Sequence, residues 1–385
     1  MIYNFDEITD RSGTGCHRWD SELSRGRIGL GQADMDFAVA PEIREALLKR
    51  LEHPVYGYQM DEQKRYDAVM LWQQTRHGNT VKKEEIRFLG SVITGMCIAI
   101  QALTKPGDAI ITQPPVYQPF PGIVEKNGRV AVDNRLLYRD GEYEVDFEGL
   151  DRVLTETNAK MLLLCSPHNP VGKAYTKDEL SRMVEICAAH NAYILADETH
   201  ADFTFHGNRH QAIFTVSPLA EKWCLQYCST SKSFNVAGNA QAYVIIKNPE
   251  IMKLFAAANG RNGEHENIFA MEAMIAAYTK CGDWMDQLSD YLGKLATTAC
   301  DFINSEIPGW RIRRPDAGFF LWPESDKPIA EIFPYIADEA KVALRDGIIY
   351  HPEPGVNNMR LCFGTSEARL MEALHRIEKA MKAHR

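Results

Sequence analysis

The sequence contains no stretch suited to a membrane or to an export pathway. None of its apolar runs reaches the roughly 18 residues that a membrane-spanning helix needs. The N-terminus, MIYNFDEITDRSG, has acidic and polar residues where a signal peptide requires an apolar segment. We therefore expect a cytoplasmic protein that does not associate with a membrane.

Clustered positive charge is also missing. The chain has 43 lysines and arginines against 52 aspartates and glutamates, and its formal net charge is -9. No basic block is present, whereas proteins that bind nucleic acid usually concentrate lysine and arginine on one surface. We expect no nucleic-acid partner.

Cysteine is present, but it forms no recognisable framework. The nine cysteines are odd in number and scattered, and several lie in apolar runs such as KMLLLCSP. Such positions favour buried free thiols in a reducing compartment. Cys224 and Cys228 are spaced neither like a usual zinc pair nor like a redox pair.

The rest of the composition is that of a globular protein large enough for two domains. The chain has 385 residues and 45% hydrophobic residues, and single cores stop growing near about 250 to 300 residues. From about residue 41 to 280, short apolar runs alternate with helical patterns, which predicts an α/β fold with a mostly parallel sheet sandwiched by helices. The expected strands are IRFLG, DAIIT, RVAVD, KMLLLCS, AYILADE, WCLQYCS and QAYVIIK.

The pattern changes after about residue 283. A long helix from Trp284 to Glu306, a helix near 328–345 and a last helix from Ser366 alternate with the expected strands WRIRRP, GFFLWPE, GIIYHP and MRLCFG. This mixture predicts a smaller α+β C-terminal domain. We expect an N-terminal arm (1–45) that joins the small domain, a large domain (46–283) and the small domain (284–385).

One helix between two strands is well marked. Thr176 and Glu179 have the spacing of a capping box before LSRMVEICAAH. The helix joins KMLLLCS to AYILADE, so these strands should be parallel neighbours or near-neighbours.

Polar residues follow four of the predicted strands, at the sheet edge where α/β proteins bind ligands. They are Asn169 in CSPHNPVG, Asp197 in ADETHADF, Tyr117 in QPPVYQPF and Lys232 in STSKSFNVAG. Lys232, set among hydroxyls, suits a Schiff-base lysine beside a phosphate. Asp197 needs a cationic partner such as a protonated ring nitrogen, and Tyr117 could stack on a planar ligand. The simpler alternatives are a helix cap for Asp197, a turn residue for Asn169 and a core aromatic ring for Tyr117.

In this order, the motifs resemble the fold-type I pyridoxal 5'-phosphate (PLP) enzymes of aminotransferase class I/II. DRSGTGCHRWD, ADMDFAVAPEI, YGY, SPHNPVGK, DETHADF and SKSFNVAG are similar to motifs of the MalY/PatB-type carbon–sulfur lyases, which include cystathionine β-lyases and cystalysin-like enzymes. The resemblance extends from the arm to the Arg360 region. It implies PLP as cofactor and a homodimer with the active site at the subunit interface.

The resemblance also implies roles for the residues at the strand ends. Lys232 would form the internal aldimine, and Asp197 would keep the pyridine nitrogen protonated. Asn169 would donate to the phenolic oxygen of the ring, and Tyr117 would stack on a ring face. His200 would be a second group near the ring.

A second set of residues would hold the cofactor phosphate. The resemblance assigns this task to Ser229 and Ser231, to the backbone of Val92 and Ile93, and to Tyr58 from a neighbouring subunit. A helix N-terminus such as the one after FLGSV suits a dianion.

Arg360 in MRLCFG matches the arginine that binds the substrate α-carboxylate, a bidentate task that lysine does poorly. The competing arginines Arg311, Arg313 and Arg314 alternate on an expected strand, where charge usually faces solvent. Arg360 is preferred for its motif position.

A metal site is the remaining alternative for the histidine-rich stretch. His200, Asp202, His206 and His210 lie close together in sequence, but their spacing fits no tight ligand set. We expect no metal.

The expected activity is α,β-elimination on L-cystathionine, L-cysteine or a related cysteine S-conjugate. The alternatives are an aminotransferase that uses the same residues, and a PLP-binding regulatory protein acting through a protein partner. Two departures from the lyases concern the substrate. RLCFGTSEARL lacks their Pro-Arg-Ser, and IGLGQADMDF has glycines where they tend to have bulkier apolar residues.

Overall fold

The computed structural model describes residues 3–23, 25–58, 60, 62–139, 141–262, 267–350 and 357–384. The helices in this part of the chain are α1 (Asp20–Leu23), α2 (Pro41–Leu51), α3 (Gln63–His77), α4 (Val92–Leu103), α5 (Pro119–Lys126), α6 (Phe147–Thr157), α7 (Lys177–Ala189), α8 (Ala220–Trp223), α9 (Thr230–Ser233), α10 (Pro249–Asn262), α11 (Ile268–Lys280), α12 (Gly282–Glu306), α13 (Ile329–Pro334) and α14 (Glu367–Ala383).

The strands are β1 (Ile28–Gly29), β2 (Ile86–Leu89), β3 (Ala109–Thr112), β4 (Val130–Asp133), β5 (Leu137–Arg139), β6 (Glu142–Glu144), β7 (Met161–Cys165), β8 (Tyr193–Asp197), β9 (Cys224–Cys228), β10 (Ala242–Ile245), β11 (Trp310–Arg311), β12 (Phe320–Leu321), β13 (Glu324–Ser325), β14 (Val342–Ala343), β15 (Arg345–Asp346) and β16 (Met359–Cys362).

A seven-stranded sheet in the order β2-β10-β9-β8-β7-β3-β4 forms the centre of the fold. β10 is antiparallel to both of its neighbours, and the other pairs are parallel. All seven strands predicted for the first 280 residues belong to this sheet. The predicted α/β class with a mostly parallel, helix-covered sheet is confirmed.

Alternate side chains of the central strands enter two separate cores, one on each face of the sheet. In β7, Leu162 and Leu164 contribute to one core, and Met161, Leu163 and Cys165 contribute to the other. The first core includes side chains of α6 and α7, and the second includes side chains of α4, α5 and α10. Both faces are covered, so the strand is apolar throughout rather than alternating.

The capping box predicted for α7 is present. Thr176 Oγ1 accepts a hydrogen bond from the Glu179 amide at 3.2 Å, and Glu179 Oε2 accepts one from the Thr176 amide at 2.8 Å. β7 and β8, which α7 connects, are parallel neighbours, as predicted.

Two expectations for the C-terminal part are wrong. The helix expected to reach residue 345 ends with a π-helical turn at Glu339, because Lys341 adopts a left-handed backbone and Val342 begins β14. The strand expected in GIIYHP is a 3-10 helix over Gly347–Tyr350, where the Ile348 amide donates to Asp346 Oδ1 at 2.9 Å. His351 and Pro352 lie outside the described residues.

The arm crosses to the C-terminal part of the chain. β1 pairs in parallel with β14, and Leu30 O accepts a hydrogen bond from the Cys362 amide at 2.7 Å. A side chain at Gly29 would collide with the Arg18 carbonyl oxygen, so this close approach requires glycine. The pairing places the following residues of the arm beside the end of β9. The predicted domain bounds stay a prediction.

In the described ranges, no helix combines the length and the apolar character required to cross a membrane.

Candidate active site

Lys232 lies in α9, the single helical turn after β9. Its Nζ donates a hydrogen bond to Ala33 O of the arm at 2.6 Å. Burial is the main cause that lowers the pKa of Lys232, and the charge of Arg360 adds to it, while Asp34 and Asp197 act in the opposite direction. Burial therefore favours the neutral amine.

Asp197 is the last residue of β8 and is buried. Its Oδ1 accepts hydrogen bonds from the amide of Thr199 at 3.0 Å and from the Thr199 hydroxyl. Burial raises its pKa despite those bonds and the charge of Lys232. Among the described residues no cation forms a salt bridge with Asp197, so a cationic ligand group would stabilise its ionised form.

Asn169 and Arg360 connect this edge of the large sheet to β16. Arg360 Nη1 donates to Asn169 Oδ1 at 3.2 Å, and Arg360 Nη2 donates to Gly31 O at 2.9 Å. The guanidinium lies 4.4 Å from the ring centroid of Phe320 and 5.1 Å from that of Tyr350. It is buried and has no carboxylate partner in the described part of the chain, an arrangement that suits an incoming carboxylate.

Tyr117 and His200 form two walls around this edge. Burial, with the charge of Asp197, raises the pKa of Tyr117 to about 12. Burial, with the charges of Lys232 and Arg360, lowers the pKa of His200 to about 3, so its ring is neutral. The His200 ring packs edge-on against Phe320 at 5.2 Å, and its buried Nδ1 has no hydrogen-bond partner in the described chain.

The opposite end of the site is rich in donors. α4 begins here with Ser91 as its N-cap, whose Oγ accepts from the Thr94 amide at 3.1 Å. The amides of Val92 and Ile93 have no acceptor among the described residues and lie at the positive end of the helix dipole. Ser229 Oγ, the N-cap of α9, lies 2.6 Å from Ser231 Oγ, and both hydroxyls bond to Gln241 O.

A cavity of about 260 Å³ joins these groups. Its walls include nine of the eleven residues that the sequence predicted for the site, namely Val92, Ile93, Tyr117, Asn169, Asp197, His200, Ser229, Ser231 and Lys232. Arg360 lines an adjoining cavity that shares Ala33, Tyr117, Lys232 and Ala237 with the first. Tyr58 is outside both, with 98% of its surface exposed.

The sequence did not identify three groups that the structure places in the site. Ala33 O holds the lysine, Thr199 holds Asp197, and Gln241 O accepts from the serines. Ala33 and Thr199 lie in quoted motifs, ADMDF and DETHADF. Because two of these three contacts use backbone oxygens, residue type gives no signal for them.

The alternative assignments gain no support from the geometry. Arg311, Arg313 and Arg314 pair with acidic side chains at 3.7, 3.1 and 2.7 Å and line a different cavity. His210 pairs with Glu198 at 2.8 Å. In the described part of the chain, no group of three or more histidine, cysteine and acidic side chains could hold a metal ion.

The donor set fits PLP. The cavity has an amine for the aldehyde, a buried carboxylate that lacks a cation, an amide beside it, and unpaired helix amides with two hydroxyls for a phosphate. These groups bind an aldehyde, a protonated ring nitrogen, a ring oxygen and a dianion respectively.

A mostly parallel sheet with a half-buried lysine and a buried carboxylate at its edge is the arrangement expected of the fold-type I PLP enzymes that the motifs resemble. The chain belongs to the aminotransferase class I and II family, whose profile matches residues 25–377. The resemblance stated from the motifs is thereby confirmed.

Particular relatives match the whole chain. Cystathionine β-lyase PatB of Bacillus subtilis is 38% identical over 98% of this chain and 100% of that protein. Protein MalY of Escherichia coli is 30% identical over 100% of both chains. The crystal structure of cystalysin from Treponema denticola, which contains a pyridoxal 5'-phosphate cofactor, is 27% identical and aligns with a TM-score of 0.96 over 100% of both chains.

Proposed function

We propose that this protein is a PLP-dependent carbon–sulfur β-lyase. It carries out α,β-elimination on L-cystathionine, L-cysteine or a related cysteine S-conjugate and releases a thiol, pyruvate and ammonia. The observation that carries the proposal is the convergence of Lys232, Asp197 and Asn169 on one cavity, with Arg360 bonded to Asn169 at its rim. The predictions of a PLP cofactor and of a lyase are confirmed by the named relatives and the cofactor-bound structures.

Bound at Lys232, PLP supplies an electron sink conjugated to the substrate α-carbon. Asp197 would hold the ring nitrogen, Asn169 the ring oxygen, and Val92, Ile93 and the two serines the phosphate. Tyr117 and His200 would enclose the ring.

Lys232 Nζ is the base that takes the α-proton of the substrate. The amine must be neutral to do this, and burial with the nearby Arg360 lowers its pKa in the required direction. In its ionised form, Asp197 would stabilise positive charge on the ring nitrogen of the bound cofactor.

Arg360 orients the substrate by its α-carboxylate. The guanidinium already donates one hydrogen bond to Asn169 Oδ1 and one to Gly31 O. Its Nε has no partner in the described chain. Phe320 and Tyr350 flank the guanidinium, and this apolar surrounding would strengthen an ion pair with the substrate.

The assembly we propose is a homodimer in which Tyr58 of the partner subunit reaches the phosphate. The supporting observation is the exposed apolar segment Val55, Tyr56, Tyr58 and Met60, which a subunit interface would cover. The nine free cysteines, most of them buried, support a cytoplasmic location.

The test is to mix the purified holoenzyme with L-cystathionine and to follow pyruvate. We expect pyruvate from the wild type, and a loss of at least about 10³-fold in Lys232→Ala together with the visible absorption band, because nucleophile and base are removed at once. Lys105→Ala, which changes an exposed lysine, is the matched control. If the wild type transfers the amino group of the substrate to a 2-oxo acid and forms no pyruvate, the protein is an aminotransferase and the lyase proposal is wrong.

A further inference from the structure

A second cavity, here called the vestibule, opens beside the cofactor cavity. Its volume is about 380 Å³, and Tyr117 and Lys232 belong to both cavities. Arg360 and Arg345 lie in its wall. A substrate whose α-carboxylate is bound by Arg360 and whose α-carbon faces Lys232 would have the vestibule as the space for its sulfur substituent.

Arg345 is a second arginine in this space. β15 and β16 are antiparallel, with Arg345 directly opposite Arg360, and directly opposed residues project from the same face of a sheet. The side chain of Arg345 is half-buried and forms neither a hydrogen bond nor an ion pair with any described residue. Two arginines that line one cavity, neither with a carboxylate partner among the described residues, suit a ligand that has two carboxylates.

Gly31 contacts both arginines. Its carbonyl accepts from Arg360 at 2.9 Å. A Cβ on Gly31 would lie 3.2 Å from Leu344 O and 3.5 Å from Arg345 Cγ, so the stem of Arg345 packs directly against the glycine. This is one of the glycines at which the sequence departs from the bulkier residues of the resembling lyases, and the departure therefore affects the vestibule.

An acidic group lies in the same wall. Asp34 lines the vestibule, and its Oδ2 forms an ion pair with Arg11 at 2.6 Å. An ionised carboxylate can accept several hydrogen bonds, so Asp34 can face an ammonium as well as Arg11. Arg345 and Asp34 together complement a zwitterionic amino-acid end.

We propose that Arg345 binds the distal carboxylate of an elongated cysteine S-conjugate, with Asp34 facing its distal ammonium. The preferred substrates are conjugates whose sulfur substituent ends in a carboxylate, with L-cystathionine as the example, rather than L-cysteine. This inference rests on the proposed lyase function and specifies its substrate class.

The experiment compares Arg345→Gln with wild type on three conjugates. L-Cystathionine and S-(carboxyethyl)-L-cysteine carry a distal carboxylate, and S-methyl-L-cysteine carries no distal charge. For the first two we expect KM to rise about 10- to 100-fold, since a charge-assisted contact is lost, with a smaller change in kcat. For S-methyl-L-cysteine we expect no change, which also shows that the variant is folded. Arg311→Gln, at an exposed arginine that lines a different cavity, is the control and should change none of these values.

Binding gives a second measurement that does not depend on elimination. The carba analogue of L-cystathionine has a methylene in place of sulfur, so no thiolate can leave, and L-norleucine lacks the distal charges. Their dissociation constants follow from titration of the visible absorption of the bound cofactor. The analogue should bind about 10- to 100-fold less tightly to Arg345→Gln than to wild type, and L-norleucine equally to both.

The two proposals fail in different ways. If the wild type forms no pyruvate from any conjugate, the lyase function is wrong, while the dissociation constants still decide the role of Arg345. If Arg345→Gln changes neither the KM of the carboxylate conjugates nor the affinity for the carba analogue, the distal-carboxylate proposal is overturned. An equal loss for charged and uncharged ligands would also overturn it.

Discussion

The chemistry of single residues in the site depends on the removal of charged groups from water. The pKa values of Lys232 and Arg360 are lowered and the pKa of Asp197 is raised. Burial is the largest cause in each case, and each shift favours the neutral form. No ion pair between described residues joins any of the three to another protein group. Arg360 can therefore bind an anion, Asp197 a cation and Lys232 an aldehyde. This complementarity is the physical basis of the PLP assignment.

His200 provides a prediction about stability and pH. Its folded-state pKa is about 3, below the ordinary value of 6.5. The unfolded chain therefore binds more protons between these values, and the free energy of unfolding falls as the pH decreases from about 6.5 toward 3. We expect His200→Gln to remove up to about 1.4 kcal/mol per pH unit from this slope.

Urea unfolding of the apoprotein at pH 7 and pH 5 measures the effect. His375→Gln is the control, because this histidine lies on the exposed surface of α14. An unchanged slope in His200→Gln would mean that the ring gains or loses its proton equally in both states.

At the scale of elements, the sequence was most informative where local chemistry determines structure. The seven strands and the α7 capping box were predictable, since apolar runs and a Ser/Thr-x-x-Glu spacing act over a few residues. The 3-10 helix at Gly347–Tyr350 was not. GIIY has the composition of a strand, and its conformation depends on an Asp346 side-chain bond and on a close approach of Gly347 to the Asn358 backbone. Such tertiary contacts leave no local pattern.

The same distinction holds for the site. Lys232, Asp197 and Asn169 follow strands, so the topology of a parallel sheet brings them to one edge. The bond from Lys232 to Ala33 O joins residues 199 positions apart, through an arm that no periodicity predicts.

The packing of α4 against the sheet leads to a prediction about stability and PLP binding. A Cβ on Gly95 would collide with Leu89 and would lie 2.9 Å from Tyr227 Cε1. We expect Gly95→Ala to lower the free energy of unfolding by about 1–3 kcal/mol through overpacking. It should also weaken PLP binding, because α4 would be displaced together with the amides of Val92 and Ile93.

Gly122→Ala in α5 is the matched control for this change. No atom lies within 4 Å of a Cβ at this position, so the substitution should be neutral or stabilising by up to about 1 kcal/mol. Denaturant unfolding and titration of the apoprotein with PLP measure both effects. If Gly95→Ala binds PLP as tightly as Gly122→Ala, the α4 amides do not hold the phosphate.

For the whole molecule, the open question is whether one chain makes a complete site. The described chain supplies the lysine, the carboxylate and the arginine, but its Tyr58 is on the outer surface. Arg360 and Lys232 line the vestibule of the same chain. If Tyr58 completes the site of the partner subunit, as we propose, then Tyr58 and Lys232 of one chain belong to different sites, whereas Arg360 and Lys232 of one chain belong to the same site.

Mixing inactive variants tests this difference. Lys232→Ala and Tyr58→Ala, unfolded together and refolded with PLP in equal amounts, should regain activity. Half of the dimers are mixed and each has one intact site, so we expect about a quarter of the wild-type rate above the residual activity of the two parents. The control mixture of Lys232→Ala with Arg360→Ala should regain nothing, because every mixed dimer then has one defect in each site. Equal behaviour of the two mixtures would mean that Tyr58 acts within its own chain or not at all, and the shared-site dimer would be wrong.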